Sequence, residues 1–394
     1  MGNIVSPVTD LDVAVIGGGA MGCCTAYWLR NGGLNVGLVE KGALCLEASG
    51  RNAGTLTPMY PAPDVVPYTI RGIELWATAE QWLGRSVGFR RMGGIEVALS
   101  EQDAEEQAAA MAPRRAAGAD IEIVGGNRAR EIEPAISERV VAAAYSKIDG
   151  LAQSNIVGIA FGEALRRDGV AVHENTPVDT VARAGDGFVV TARGRDYRAR
   201  TLVLSAGSWM PKLARAWFGL DLPIAVRIHH MVVTERMRRI VRRVMRIHAR
   251  GSFKQAENGS FLLGGVLNWL PDPDRAAAET DPRATYDRTL RAVRNAGAAV
   301  PAVMGARVVR TWTGLEAYVA DNLPAIGPLP GVANAFIVGA QRSGFTTAPF
   351  MGKIVAQTIL GQVPDLPMDI PALNPARMTG LKLDENCIAF NSRS

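Results

Sequence analysis

Asp12-Val-Ala-Val-Ile-Gly-Gly-Gly-Ala-Met-Gly22 is the stretch on which the reading of this chain turns. Val13 to Ile16 form a short apolar run rich in β-branched residues, as expected of a parallel strand buried on both faces. Gly17, Gly19 and Gly22 follow at G-x-G-x-x-G spacing. Gly17 suits a tight turn, Gly19 the close approach of a pyrophosphate to the backbone, and Gly22 the packing of helix on strand. An apolar helix continues to about Asn31, its N-terminus offering free N–H groups and the positive end of its dipole. Residues 34–39 read as a second strand, and Glu40 at its end is placed to accept hydrogen bonds from a ribose diol. A G-x-G-x-x-G by itself also fits a Gly-rich loop in any βα unit. Here strand, glycines, helix, second strand and acid arrive in register, which predicts a dinucleotide site. The acid at position 40 argues against a 2′-phosphate and hence against NADP; the unit alone does not separate NAD from FAD.

The chain has 394 residues, enough for two domains, and its 48% hydrophobic content with 42 glycines suits a globular α/β protein. No apolar run is long enough to span a bilayer. With the first strand starting near residue 12, no signal peptide is expected, and a cytoplasmic location follows as the expectation. Cys23, Cys24, Cys45 and Cys387 show no C-x-x-C spacing, so neither a zinc site nor an iron–sulfur cluster is expected, nor any other metal. Cys23 and Cys24 read as small packing residues in the first helix. The net charge of +5 comes from one segment: residues 236–250 hold seven arginines and no acid, leaving the rest at −2. The basic balance is therefore no argument for nucleic-acid binding.

After Glu40, Glu47-Ala-Ser-Gly-Arg-Asn-Ala-Gly54 is dense in small and polar residues and feeds the extended Thr55-Leu-Thr-Pro58. Such material makes a surface turn, or lets the chain run close under a flat cofactor. From here the sequence resembles the FAD-dependent oxidoreductases of the D-amino-acid oxidase, glycine oxidase and sarcosine oxidase group. Their second flavin motif has this Ser-x-x-Asn-x-Gly character. The resemblance implies that Ser49, Arg51, Asn52, Ala53 and Gly54 line the FAD pyrophosphate and isoalloxazine, and it adds Ala20, Met21 and Lys41 to the first motif. Thr176-Pro-Val178 matches a stretch that places a valine backbone against the adenine, here Val178. Leu202-Val-Leu-Ser-Ala-Gly-Ser-Trp209 resembles the family's Ala-Gly-x-Trp, where Ala206, Gly207 and Trp209 make room for FAD; the plain alternative is a strand and a turn.

Between these motifs, residues 65–83 have helical periodicity, with Trp76 and Trp82 read as core. Residues 101–118 read as an exposed helix, 150–167 as a further helix, and 170–172 as a buried strand. Residues 188–192 and 196–199 look like a hairpin. Residues 222–235 are a long strand pattern in which His229 and His230 point to opposite faces, so the pair cannot chelate one metal unaided. The run His-His-Met-Val-Val-Thr-Glu235 resembles a strand of dimethylglycine and sarcosine dehydrogenases, which implies that one of the pair lies near the flavin, and His230 is taken as the candidate. The other reading is a structural histidine. In residues 236–250 Met237, Ile240, Val241, Val244 and His248 recur at helical spacing opposite the arginines. That is either a solvated basic face or an element that docks on an acidic partner or an anionic membrane surface.

Trp312-Thr-Gly-Leu-Glu316 and Asp321-Asn-Leu-Pro-Ala-Ile-Gly327 resemble the family's Trp-x-Gly-Leu and its Asp-x-x-Pro-x-Ile-Gly return. Glycine-oxidase-like members carry an arginine on the substrate carboxylate at the position of Glu316, a reversal of charge. Gly314 stands where monomeric sarcosine oxidases have a flavin-linking cysteine, so FAD is expected to be non-covalent. Ala335 to Phe350 is strand, Gly turn and helix start, a second preformed anion site for reduced flavin, with N–H groups near Gly344, Phe345 and Thr346. Arg342 matches the arginine that holds the substrate carboxylate. Some oxidases have a lysine near Thr346 that assists the reaction with oxygen; its absence favours a dehydrogenase.

The resulting expectation is an α/β protein with a discontinuous Rossmann-like FAD-binding domain (residues 10–84, 146–219 and 306–375), an inserted antiparallel-sheet α+β substrate domain (85–145 and 220–305), and a tail at 376–394. The resemblance implies oxidation of a C–N bond in an amino acid or secondary-amine amino acid of proline, hydroxyproline, opine or sarcosine type, with a hydride equivalent passing to flavin N5. Catalytic candidates are Arg342, Glu316 and His230. A partner subunit or protein electron acceptor is expected. A stand-alone oxygen-dependent oxidase and a non-catalytic FAD-binding assembly subunit are the alternatives.

Overall fold

β1 (Thr9–Ile16) lies between two parallel neighbours, β2 (Val36–Val39) and the long strand Arg195–Leu204. Its residues from Val13 to Ile16 are all buried, which is why they read as a continuous apolar run rather than an alternating one. The computed structural model describes residues 9–270 and 285–383; Cys387, the tail beyond 383, and residues 271–284 of the expected substrate domain lie outside the described residues. The sheet runs, edge to edge, Val178–Ala184, Gly187–Ala192, Arg195–Leu204, β1, β2, Ala171–His173. The first half of Arg195–Leu204 forms the expected hairpin with Gly187–Ala192, and its end pairs in parallel with Ala335–Gly339. The C-terminal ends of four parallel strands thus come together at Ile16, Val39, Leu204 and Gly339, where open α/β sheets bind their ligands.

α1 (Ala20–Asn31) and the helix Gly344–Ile359 cover one face of this sheet. They cross so closely that a Cβ on Gly352 would stand 2.6 Å from Cys24 Cβ. Cys23 and Cys24 are fully buried and act as small packing residues; burial pushes both thiols well up.

The second sheet has eight strands: Val308–Val319, Ile224–Arg236, Ser260–Leu270, Gly251–Gln255, Val244–Ile247, Gly94–Ala98, Ala142–Ser146 and Ile121–Gly125. It is antiparallel throughout except where Val244–Ile247 runs parallel to Gly94–Ala98. The molecule is therefore a mixed α/β fold with a Rossmann-like domain and a largely antiparallel second sheet. No helix among the described residues is long and apolar enough to cross a membrane.

Val308–Val319 pairs along the length of Ile224–Arg236 and so is a strand of the second sheet. Several expectations need correction. The helix expected over 150–167 is Ser154–Arg167, because Gly150–Leu151 is drawn into a small sheet with Thr55–Leu56 and Arg90–Arg91. The strand expected at 170–172 is Ala171–His173, half-buried at the sheet edge. The largest departure is the arginine-rich segment. Its helical spacing is not realised, since Val244–Ile247 is a fully buried central strand. Arg246 is 0% exposed and ion-paired to the equally buried Asp149 at 2.6 Å, and Arg250 pairs with Asp103 at 2.8 Å. Only Arg236, Arg238, Arg239 and Arg242 are exposed, so the segment is no single basic face.

Candidate active site

The glycine turn after β1 is pinned from both sides. Gly17 N donates to Val39 O (2.9 Å) and Ser205 N to Ile16 O (2.8 Å). Gly17 has φ +106°, and a Cβ there would meet Ser205 O at 2.4 Å; a Cβ on Gly22 would meet Gly17 O at 2.0 Å. No side chain fits either position. α1 has no acid in its first turn, and Ala20 N at its start donates to the Ser49 hydroxyl oxygen at 2.9 Å. Glu40 accepts from Gly18 N (2.7 Å) through one oxygen and from Gly42 N (2.8 Å) through the other, with acceptor capacity left on each.

These residues open onto a cavity of about 450 Å³ between the two sheets. Of the predicted cofactor residues, Gly17, Gly19, Ala20, Met21, Glu40, Lys41, Ser49, Asn52, Ala53, Val178, Ala206, Gly207, Trp209, Arg342, Gly344, Phe345 and Thr346 all line it. Three do not. Gly22 acts one layer behind, through the turn. Gly54, at φ +70°, is pressed against Ala152 O. Arg51 turns away: its guanidinium reaches Thr313 O and Glu47, and it borders a separate cavity with Arg310 and Trp312.

The far end of the cavity is closed by Ala335–Gly339 and the start of Gly344–Ile359. Ser343 holds φ +61° at the turn, and Thr346 N donates to Ser343 O. Behind it Trp76, fully buried, donates to Phe345 O at 2.8 Å and stacks on the Phe345 ring. Gln341 Oε1 is buried in this wall without a hydrogen-bond partner. The helix starts, the small-residue turns and this orphan acceptor fit a flat, anionic, donor-bearing group such as FAD.

The second sheet supplies the opposite wall. His229 lines the cavity, and its Nδ1 is 3.9 Å from Glu316. His230, the expected candidate, faces the other way: it is 0% exposed and lies 3.0 Å from Thr289 of the helix Thr285–Ala299. Burial, with Arg288 and His229 nearby, lowers its pKa to about 4. Strand alternation required one histidine of the pair to point away, and it is this one. Glu316 lines the cavity and accepts from Tyr318 OH at 2.7 Å. Arg342 lies over the Tyr60 ring, 4.6 Å from its centroid.

Tyr60, Glu96, Tyr318 and the turn around Arg250 also line the cavity and were not assigned from sequence. Tyr60 sits in an irregular segment with no periodicity to mark it. Glu96 is buried, which alone would raise its pKa, but His248 at 2.9 Å and Arg246 hold it below the usual carboxylate range. The same contact raises His248.

A glycine turn between parallel strands, two helix starts facing one cavity and a second sheet as its roof suit a dinucleotide cofactor such as FAD. The sequence matches the family described as FAD dependent oxidoreductase (DAO) over residues 12–358, and the chain belongs to that family. It is 27% identical to a subunit of the opine oxidase of Rhizobium meliloti, over 89% of this chain and 93% of the relative. It is 25% identical to glycine oxidase of Geobacillus kaustophilus, over 88% and 92%. Its fold matches that of L-proline dehydrogenase from P.horikoshii with a TM-score of 0.84, at 21% identity, covering 96% of this chain and all of that one. The protein is thus an FAD-dependent enzyme.

Proposed function

We propose that this flavoenzyme oxidises the C–N bond of an amino acid or secondary-amine amino acid, of proline, hydroxyproline, opine or sarcosine type, as the catalytic subunit of a cytoplasmic hetero-oligomeric dehydrogenase. The observation that carries the substrate class is Arg342. Among the described residues no carboxylate lies within ion-pair distance of it, although it lines the cavity. A cation set into a partly desolvated cleft, with no carboxylate paired to it, suits an anionic ligand, and a guanidinium suits a carboxylate held through two N–H groups.

When bound, FAD supplies the two-electron acceptor at its N5. The chain's own residues bind and orient. Arg342 takes the substrate carboxylate, and Glu316, with His229 beside it, accepts from the substrate amine. Tyr318 stays protonated because burial and Glu316 push its pKa up, so it donates to Glu316 and does not act as a base. No base is required if the amine binds neutral. The N-terminus of Gly344–Ile359 stabilises negative charge that develops at its end of the cavity. The hetero-oligomeric part of the reading is supported by the opine oxidase relative, which is itself named as one subunit of an enzyme. The exposed Arg236, Arg238, Arg239 and Arg242 are suited to an acidic partner surface. Arg342→Ala is expected to abolish amine turnover while FAD content is unchanged; unchanged turnover would overturn the assignment.

A further inference from the structure

We infer that Tyr60 is the positioning residue for Arg342, and that the buried Arg246–Asp149 pair fixes Tyr60 in turn. The inference rests on the reading of Arg342 as the carboxylate anchor. Two guanidinium groups approach the Tyr60 ring, Arg342 at 4.6 Å and Arg246 at 5.0 Å from its centroid. Arg246 cannot drift: it is wholly buried, with one terminal nitrogen 2.6 Å from Asp149 Oδ2 and the other 3.6 Å from Met59 Sδ. A third arginine ties the backbone, Arg114 donating to Pro61 O at 2.9 Å and to Tyr60 O at 3.4 Å. Tyr60 is thus the immobile element, and Arg342 is the group that rests on it.

The chemical logic lies in what a ring face does and does not take from an arginine. A carboxylate partner would hold the guanidinium by occupying N–H donors, and the substrate would have to displace it. An aromatic face attracts the cation through its quadrupole and leaves the in-plane N–H groups free for a ligand. A long side chain held this way has less rotamer freedom to lose when substrate binds, which raises affinity by pre-organisation. Arg246 and Arg114 add positive potential at the same place; repulsion from Arg342, after burial, lowers the pKa of Arg114.

The test uses FAD-loaded Tyr60→Phe, Tyr60→Leu and Tyr60→Met, the last guarding against a folding defect from lost volume. Acetate is titrated against the flavin absorbance, and KM and kcat are measured with whichever amine reduces the wild type. Loss of the ring face is expected to weaken acetate binding and raise KM about tenfold, with kcat within about twofold. Tyr60→Phe is expected to restore most of the affinity. FAD content and melting temperature report independently that each variant is folded. Wild-type acetate affinity in Tyr60→Leu and Tyr60→Met would overturn the inference, as would a loss in Tyr60→Phe equal to theirs, since the hydroxyl and not the ring would then matter. Arg342→Ala that still binds acetate normally would remove the anchor itself, a separate failure that these variants distinguish.

Discussion

Gly22 approaches the carbonyl of Gly17 so closely that a Cβ would stand 2.0 Å from its oxygen. The obstacle is backbone, which cannot rotate aside, so α1 could accept even a methyl group only by lifting off the turn. Gly22→Ala is accordingly predicted to purify with little FAD, read as a fall in flavin absorbance relative to protein absorbance. Wild-type flavin content in this variant would mean that the turn does not hold the cofactor as described.

Asp149 and Arg246 are both essentially inaccessible to water. Removing one charge leaves the other buried and unpaired, which typically costs about 3–5 kcal/mol. Asp149→Ala should lose stability on that scale in denaturant unfolding, a large part of the margin of an ordinary domain. A loss under about 1 kcal/mol would show that Arg246 finds another partner or reaches solvent.

The His248–Glu96 contact makes stability depend on pH. His248 is raised above its ordinary value of 6.5, chiefly by the hydrogen bond to Glu96. Its contribution is fully present below about 6.5 and fades as pH rises through the higher folded value. Glu96 is lowered from 4.5, so its contribution is present above that value and fades as pH falls through the lower folded one. The pair therefore stabilises most between the two ordinary values. The melting-temperature penalty of His248→Asn is expected to be larger at about pH 5.5 than at about pH 9; an equal penalty at both would contradict the pairing.

The first motif was legible because each of its residues answers a local demand. Gly17 needs a left-handed backbone, Val13 to Ile16 need two buried faces, and Glu40 needs only to end a strand. The arginine-rich segment misled because helical spacing of Met237, Ile240, Val241 and Val244 coincides with burial in a strand and the irregular segment before it. A central strand can also bury an arginine once a distant acid, here Asp149, arrives to pair with it. Which of His229 and His230 faces the cavity depends on which side of the sheet the helix Thr285–Ala299 covers, a tertiary fact invisible in the strand itself. Tyr60 was missed for a related reason: its role is defined by Arg246 and Arg342, both remote in sequence.

Oxidation in this cavity of an amine whose carboxylate is held by Arg342 has one most direct measurement. The yellow protein is mixed anaerobically with D- and L-proline, hydroxyproline, opines, sarcosine and glycine, flavin absorbance is followed, and air is then admitted. Bleaching by at least one of the secondary amines is predicted, with no bleaching in Arg342→Ala and slow reoxidation by oxygen. Bleaching with rapid reoxidation would contradict the dehydrogenase assignment, and no bleaching by any of these amines would contradict amine oxidation itself.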